Sequence, residues 1–204
     1  MKPIFVTGIG TGIGKTIVSA VLTELLQADY WKPIQAGDLE QTDTMTVQGL
    51  VINPRSGFHP EAYRLTQPFS PHKSAALDGI TLDPERINIP ETGNRLVIEG
   101  AGGLMVPIND HFLMLDLIKK FDAEVVLVSA NYLGSINHTL LSLEVLRMHG
   151  VAVKGIIFNG DADHSSEKYI LQYSDIFYLG RIPKMSPIDI SSAVGPLSFL
   201  WKDL

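Results

Sequence analysis

The segment Gly8-Ile9-Gly10-Thr11-Gly12-Ile13-Gly14-Lys15-Thr16 combines residue types that can capture a polyphosphate. Its glycines let backbone amides turn inward without Cβ clashes, forming a concave nest for phosphate oxygens. A helix opening at Lys15 adds unpaired N–H groups and a partial charge of about +0.5. Lys15 then reaches the β- and γ-phosphates, and the Thr16 hydroxyl is placed to hold Mg²⁺. The common spacing G-x-x-x-x-G-K-[ST] wants glycine at position 9, where this chain has Ile9. Gly8 stands one residue earlier, so the loop carries one extra residue. A dinucleotide fingerprint G-x-G-x-x-G starting at Gly8 fails because position 13 is Ile13.

Such a loop needs acidic partners to orient Mg²⁺ and its waters. Glu99 ends an apolar run and is followed by Gly100-Ala101-Gly102-Gly103. Strand ends are where sheets of this class present ligand-facing residues; the plainer reading of Glu99 is a solvated turn. Asp43 follows Thr42, and from its residues alone the stronger reading is a first-turn helix acid behind a threonine cap. Gly134-Ser135-Ile136-Asn137 opens a helix directly after the most apolar run, so its free N–H groups form a second anion site. Ser135 also reads as a plain N-cap.

The elements that must position these groups alternate between strand and helix. Ile4–Thr7 is a buried-strand run, and the helix 15–27 follows with Ile17, Val21, Leu22, Leu25 and Leu26 on one face. Strands are expected at Tyr30–Ile34, Arg95–Ile98, Glu124–Ser129, Val151–Phe158 and Ile176–Leu179. Helices are expected at Asp43–Leu50, Ile136–His149 and Ser165–Tyr173. Continuously apolar strands imply a sheet covered on both faces, hence an α/β fold with a mostly parallel central sheet. Together with the phosphate loop this gives a P-loop NTPase fold, read as one domain over residues 1–204. The proline-containing stretch Asn53–Gly93 is expected to be a long functional excursion from that domain.

Bulk properties narrow the function. The formal charge is −6, so no net field favours nucleic acid or an anionic membrane. The absence of cysteine excludes a disulfide framework, a thiolate metal site and a cysteine nucleophile. No two of the 6 histidines share the close spacing of a zinc site. No apolar run has the length of a membrane span, and the run after Met1 is too short for a signal-peptide core, so a cytoplasmic enzyme is expected.

Several segments together resemble the dethiobiotin synthetases. They are Phe5–Gly8 through Gly14-Lys15-Thr16, Lys32-Pro33-Ile34-Gln35-Ala36-Gly37, Ser70-Pro71-His72 and Val97–Gly103. Leu133-Gly134-Ser135-Ile136-Asn137-His138 and Leu179-Gly180-Arg181-Ile182-Pro183 complete the series in the family's order. The resemblance implies closure of the ureido ring of 7,8-diaminopelargonate with CO₂ or bicarbonate, using ATP and Mg²⁺. One amine captures CO₂ as a carbamate, whose oxygen attacks the γ-phosphate. The second amine then displaces phosphate from the mixed anhydride.

It also implies roles by residue. Lys32 and Lys15 are catalytic, and Thr16, Asp43 and Glu99 hold the metal. Nucleotide contacts fall to Gly12, Ile13, Gly14 and Ile17, with Gly100, Ala101 and Gly102 beside the phosphates. Asn159 and Pro183 would meet the base. Substrate contacts fall to Thr11, Lys32 and Ala36, while Gly134, Ser135, Ile136, Asn137 and Tyr169 would bind the substrate carboxylate. In that family the 134–137 segment comes from the partner subunit, which implies a homodimer. Ala36 stands where a hydroxyl residue is common, and Gly12 and Gly160 also depart from the usual pattern. The alternatives are a partitioning or cell-division type ATPase switch, whose loop carries an early lysine where this chain has Gly10, and a related ligase for another small acid.

Overall fold

The computed structural model describes residues 1–186, 188–198 and 201, the side chains of Pro196 and Ser198 excepted. Eleven strands and seven α-helices occur among the described residues. They run β1 (Ile4–Gly8), α1 (Lys15–Leu26), β2 (Asp29–Trp31), β3 (Ile34–Ala36), α2 (Asp43–Leu50), β4 (Phe58–His59), β5 (Tyr63–Leu65) and α3 (Pro71–Asp78). A 3-10 turn at Pro84–Arg86 leads to β6 (Leu96–Glu99), β7 (Pro107–Asn109), β8 (Phe112–Leu113), α4 (Met114–Lys120) and β9 (Glu124–Ala130). The chain continues with α5 (Ser135–Met148), β10 (Val153–Asn159), α6 (His164–Ser174), β11 (Tyr178–Ile182) and α7 (Ile190–Ser198).

Seven strands form one sheet in the order β11-β10-β9-β1-β6-β2-β4. Every pairing in it is parallel. Parallel strands buried on both faces need apolar residues at odd and even positions, which β1 supplies. Ile4 and Val6 join the core shared with α1, while Phe5 joins the core beneath α3 and α4. A third apolar cluster, including Leu143 of α5 and Ile170 of α6, covers Leu127, Ile156 and Phe158. Helices thus lie on both faces. Strand β1 sits between β9 and β6, and the chain departs to opposite sides of it. That arrangement opens a crevice at its carboxyl end, where α/β sheets bind ligands.

Three local expectations are corrected. The strand expected over Tyr30–Ile34 is two strands, β2 and β3, interrupted at Lys32-Pro33. Pro33 offers no N–H to a ladder, so the break falls beside it, and β3 pairs instead with β5 in a separate two-stranded sheet. The last strand lies at Tyr178–Ile182 rather than 176–179. The face expected of α1 packs against one core, Val21 and Leu22 fully buried and Ile17, Leu25 and Leu26 half-buried, with Val18 and Ala20 buried beside them. Contacts from α2 and α7 as well as the sheet broaden the buried face. Gly134, at φ +100, caps α5, and Ser135 is its first residue rather than its cap. The excursion 53–93 is more regular than its composition suggests, because β4 extends the main sheet and β5 and α3 build a wall beside β3.

Candidate active site

The loop after β1 curls around the amino end of α1, and Lys15 Nζ donates to the carbonyl of Gly10 at 2.9 Å. Gly14 has φ +92, and a Cβ there would lie 2.1 Å from Asn159 Nδ2. Only glycine meets both conditions. The same Asn159 amide donates to Ile13 O at 3.0 Å, which joins the end of β10 to the loop.

Beside the loop, three side chains from three elements meet. Thr16 Oγ1, in the first turn of α1, is 2.9 Å from Asp43 Oδ1 and 3.0 Å from Glu99 Oε1. Asp43 is there because Thr42 caps α2, accepting from Met45 N at 3.1 Å, so the cap that the sequence suggests is present and it carries Asp43 to Thr16. Gln35 fixes the same turn, its Oε1 accepting from Asp43 N at 3.2 Å. Glu99 is the last residue of β6 and only 1% exposed. It is therefore no solvated turn.

Lys32 follows β2 directly. Its ammonium lies 2.6 Å from Asp43 Oδ2 and 3.0 Å from Glu99 Oε1, and donates to Gly100 O at 3.2 Å. Burial acts against its charge, yet Glu99 and Asp43 together raise its pKa above the ordinary lysine value. Asp43 is lowered in turn: burial opposes ionisation, but the Lys32 charge and the bonds from Lys32 and Thr16 prevail. Burial, aided by the nearby Lys32 charge, brings Lys15 down to about 8.

These groups line a cleft of about 620 Å³ whose other side is Pro68-Phe69-Ser70-Pro71. Gly37, at φ +75, allows that wall to approach, since a Cβ would lie 2.6 Å from Pro68 Cβ. Thr11, Gly12, Gly14, Lys15, Thr16 and Ile17 line the cleft, as do Lys32, Ala36, Asp43, Glu99, Ala101 and Gly102. Gly100 lies just behind it, contributing its carbonyl to Lys32. A second recess of about 450 Å³ adjoins the loop and is lined by Gly12, Ile13, Ile17, Asn159, Pro183 and Met185 among others.

Two expected groups lie elsewhere. Residues 134–137 open α5 outside the lining of both recesses, and Tyr169 stands 52% exposed on α6, its ring stacked on Tyr173 at 5.8 Å. Within one chain they are not brought to the cleft. Sequence reasoning missed Tyr30, Gln35 and the Pro68–Pro71 wall. The period of two along the strand was the available signal for Tyr30, which shares a face with Lys32.

The donor set fits a hard divalent cation. Two carboxylates and one hydroxyl converge, and no group of three or more His, Cys, Asp or Glu able to hold a metal ion occurs among the described residues. That is too few ligands for an all-protein cage, but it matches Mg²⁺ completed by phosphate oxygens and water. The loop amides and Lys15 fit a nucleotide polyphosphate.

Fold and site together define a P-loop nucleotide-binding protein. The septum site-determining protein MinD of Pyrococcus horikoshii is similar in fold, with a TM-score of 0.65 at 14% identity over 98% of this chain and 94% of that one. A ParA family ATPase of Chlorobium tepidum gives 0.58 at 13% over 100% and 94%. At those identities only the architecture is shared. A family model described as an AAA domain matches residues 2–191. Much closer in sequence are ATP-dependent dethiobiotin synthetases. That of Cytophaga hutchinsonii is 53% identical, covering 85% of this chain and 84% of the relative. That of Christiangramia forsetii is 54% identical, covering 89% and 87%. The chain belongs to the ATP-dependent dethiobiotin synthetase family, whose members are carbon–nitrogen cyclo-ligases.

Proposed function

We propose that this enzyme closes the ureido ring of 7,8-diaminopelargonate with CO₂ and ATP, giving dethiobiotin, ADP and phosphate in biotin synthesis. The observation that carries the reading is the buried Lys32 ammonium, held 2.6 and 3.0 Å from Asp43 and Glu99 beside a phosphate loop. The reaction brings two anions together, a carbamate and a γ-phosphate, and needs fixed positive charge between them. Lys15 serves the phosphate side and Lys32 faces the carbamate side. Thr16, Asp43 and Glu99 would hold Mg²⁺, which supplies charge neutralisation on the phosphates. The second recess suits a nucleobase between Asn159 and Pro183.

We read the enzyme as a cytoplasmic homodimer, with residues 1–204 forming one synthetase domain. Among the described residues no helix is long and apolar enough to cross a membrane. The opening of α5 and Tyr169, absent from their own chain's cleft, would meet the substrate carboxylate in the partner's. Exposed Leu133, Met105 and Leu141 support a face-to-face association beside this segment.

Product analysis tests the whole. Incubation with MgATP, bicarbonate and 7,8-diaminopelargonate is expected to give dethiobiotin and ADP in equal amounts, from a species that sediments as a dimer. Folded, nucleotide-binding protein that forms no dethiobiotin would overturn the reaction; an active monomer would overturn the shared site.

A further inference from the structure

Tyr30 is fully buried, and its hydroxyl donates to Glu99 Oε2 at 2.8 Å. Strand pairing explains the meeting. In the parallel ladder of β2 and β6, Tyr30 stands opposite Val97 and Trp31 opposite Ile98. Side chains two apart share a face, so Tyr30 and Lys32 flank Glu99 on the α1 side of the sheet. Tyr30 packs on Phe58 at a ring separation of 6.5 Å, which holds its position from the far side.

The two oxygens of Glu99 are thereby given different work. Oε1 receives Thr16 and Lys32 at 3.0 Å each. Oε2 receives Tyr30. A carboxylate free to rotate about its last bond would present either oxygen, or neither, to the cleft. With Oε2 occupied by a donor on a rigid strand, Oε1 faces Thr16.

We infer that Tyr30 is a positioning residue for the cation site, acting through Glu99 by fixing the carboxylate plane, and not a catalytic residue. The inference rests on the reading of Thr16, Asp43 and Glu99 as metal ligands. Outer partners of ligating groups commonly change metal affinity by about 10–100-fold when removed.

The test measures Mn²⁺ binding to the ADP complex by electron paramagnetic resonance, in the wild type, Tyr30→Phe, Glu99→Gln and the double variant. Tyr30→Phe is expected to weaken Mn²⁺ at least about tenfold, to leave ADP affinity in EDTA within about twofold, and to add nothing in the Glu99→Gln background. A merely structural tyrosine would lower thermal stability and leave metal affinity alone, and that result overturns the inference. Equal losses in both backgrounds overturn it too, because the effect would not pass through Glu99. If Glu99→Gln itself binds Mn²⁺ normally, the metal assignment beneath it falls instead. Should Tyr30→Phe fail to fold, 3-fluorotyrosine placed at position 30 keeps the hydroxyl. Its ¹⁹F resonance must shift when Mg²⁺ is added to the ADP complex, and an unmoved resonance refutes the coupling.

Discussion

Replacing Lys32 by methionine keeps the length of the stem and deletes the charge, and the structure separates the consequences for folding, binding and turnover. Lys32 is only 4% exposed, and its ammonium is the shared partner of Asp43 and Glu99. Removing one member of a buried ion pair typically costs about 3–5 kcal/mol, because the remaining charge stays desolvated. Glu99 is fully enclosed, whereas the Asp43 side chain is 32% exposed and retains some water. The expected loss is therefore at the low end, about 3 kcal/mol. In a chain of this size each kcal/mol corresponds to about 2–4 °C, so the melting point should fall by roughly 6–12 °C. The loop amides and Lys15 are untouched, so ADP affinity in EDTA should stay within about threefold of wild type, or about 0.7 kcal/mol. Turnover should fall by about 10²–10³, the usual loss on removing one preorganised charge that stabilises a transition state. Differential scanning fluorimetry, titration calorimetry and single-turnover ADP release measure the three quantities separately. Collapse of ADP affinity with turnover surviving at saturation would refute the assigned role. An unchanged melting point would refute the account of the buried triad.

Gly14→Ala should weaken nucleotide binding at least about fivefold by calorimetry, because φ +92 strains any L side chain by about 1–2 kcal/mol and a Cβ 2.1 Å from Asn159 Nδ2 pushes that amide off Ile13 O. Unchanged affinity would refute the role of this contact. Outside the lining of the cleft, Asp29 accepts from Gly57 N at 2.8 Å, Thr92 Oγ1 at 2.6 Å and Asn94 Nδ2 at 3.1 Å, and pairs with His59 Nε2 at 3.0 Å. Burial works against its ionisation, but these bonds hold its pKa below the ordinary aspartate value. A carboxyl depressed in the folded state stabilises above its unfolded pKa, about 3.9, and loses that stabilisation as pH falls through the folded value. Asp29→Asn turns an amide toward donors on both oxygens and should cost about 2–3 kcal/mol at pH 7 in urea unfolding. The difference from wild type should shrink below pH 4, while kcat at pH 7 stays the same. A cost independent of pH would refute the argument.

The phosphate loop was readable because its chemistry is local: strand, turn, Lys15 and Thr16 lie within a few residues of one another. Glu99 was readable because a strand end has a known relation to a ligand crevice. The pairing of Asp43 with Lys32 was harder to see, since it depends on β2 ending at Trp31, ahead of Pro33, and on where α2 begins. Neither distance is a property of spacing along the chain. Tyr30 was hidden for a related reason: an aromatic residue in an apolar run reads as core until the register with β6 brings Glu99 against its hydroxyl. The wall at Pro68–Pro71 lay inside an excursion without clear periodicity, and only the β3–β5 pairing brings it to the cleft. At the opening of α5 local pattern supports only the expectation of an anion site. Its distance from the cleft of its own chain follows from the order of the strands, which local pattern does not reveal.

On the proposed reading of the second recess as the base site, the contact between Asn159 and the loop has a consequence for anyone redesigning base preference. Asn159 lines the second recess, yet its amide nitrogen donates to Ile13 O and occupies the space that a side chain at position 14 would need. Changing residue 159 to suit another base thus also removes a strut from the phosphate loop. A library that varies position 159 alone would confuse lost base contacts with a loosened loop. Positions 13, 14 and 159 form one design unit, to be varied together and scored against a plain triphosphate as well as against nucleosides.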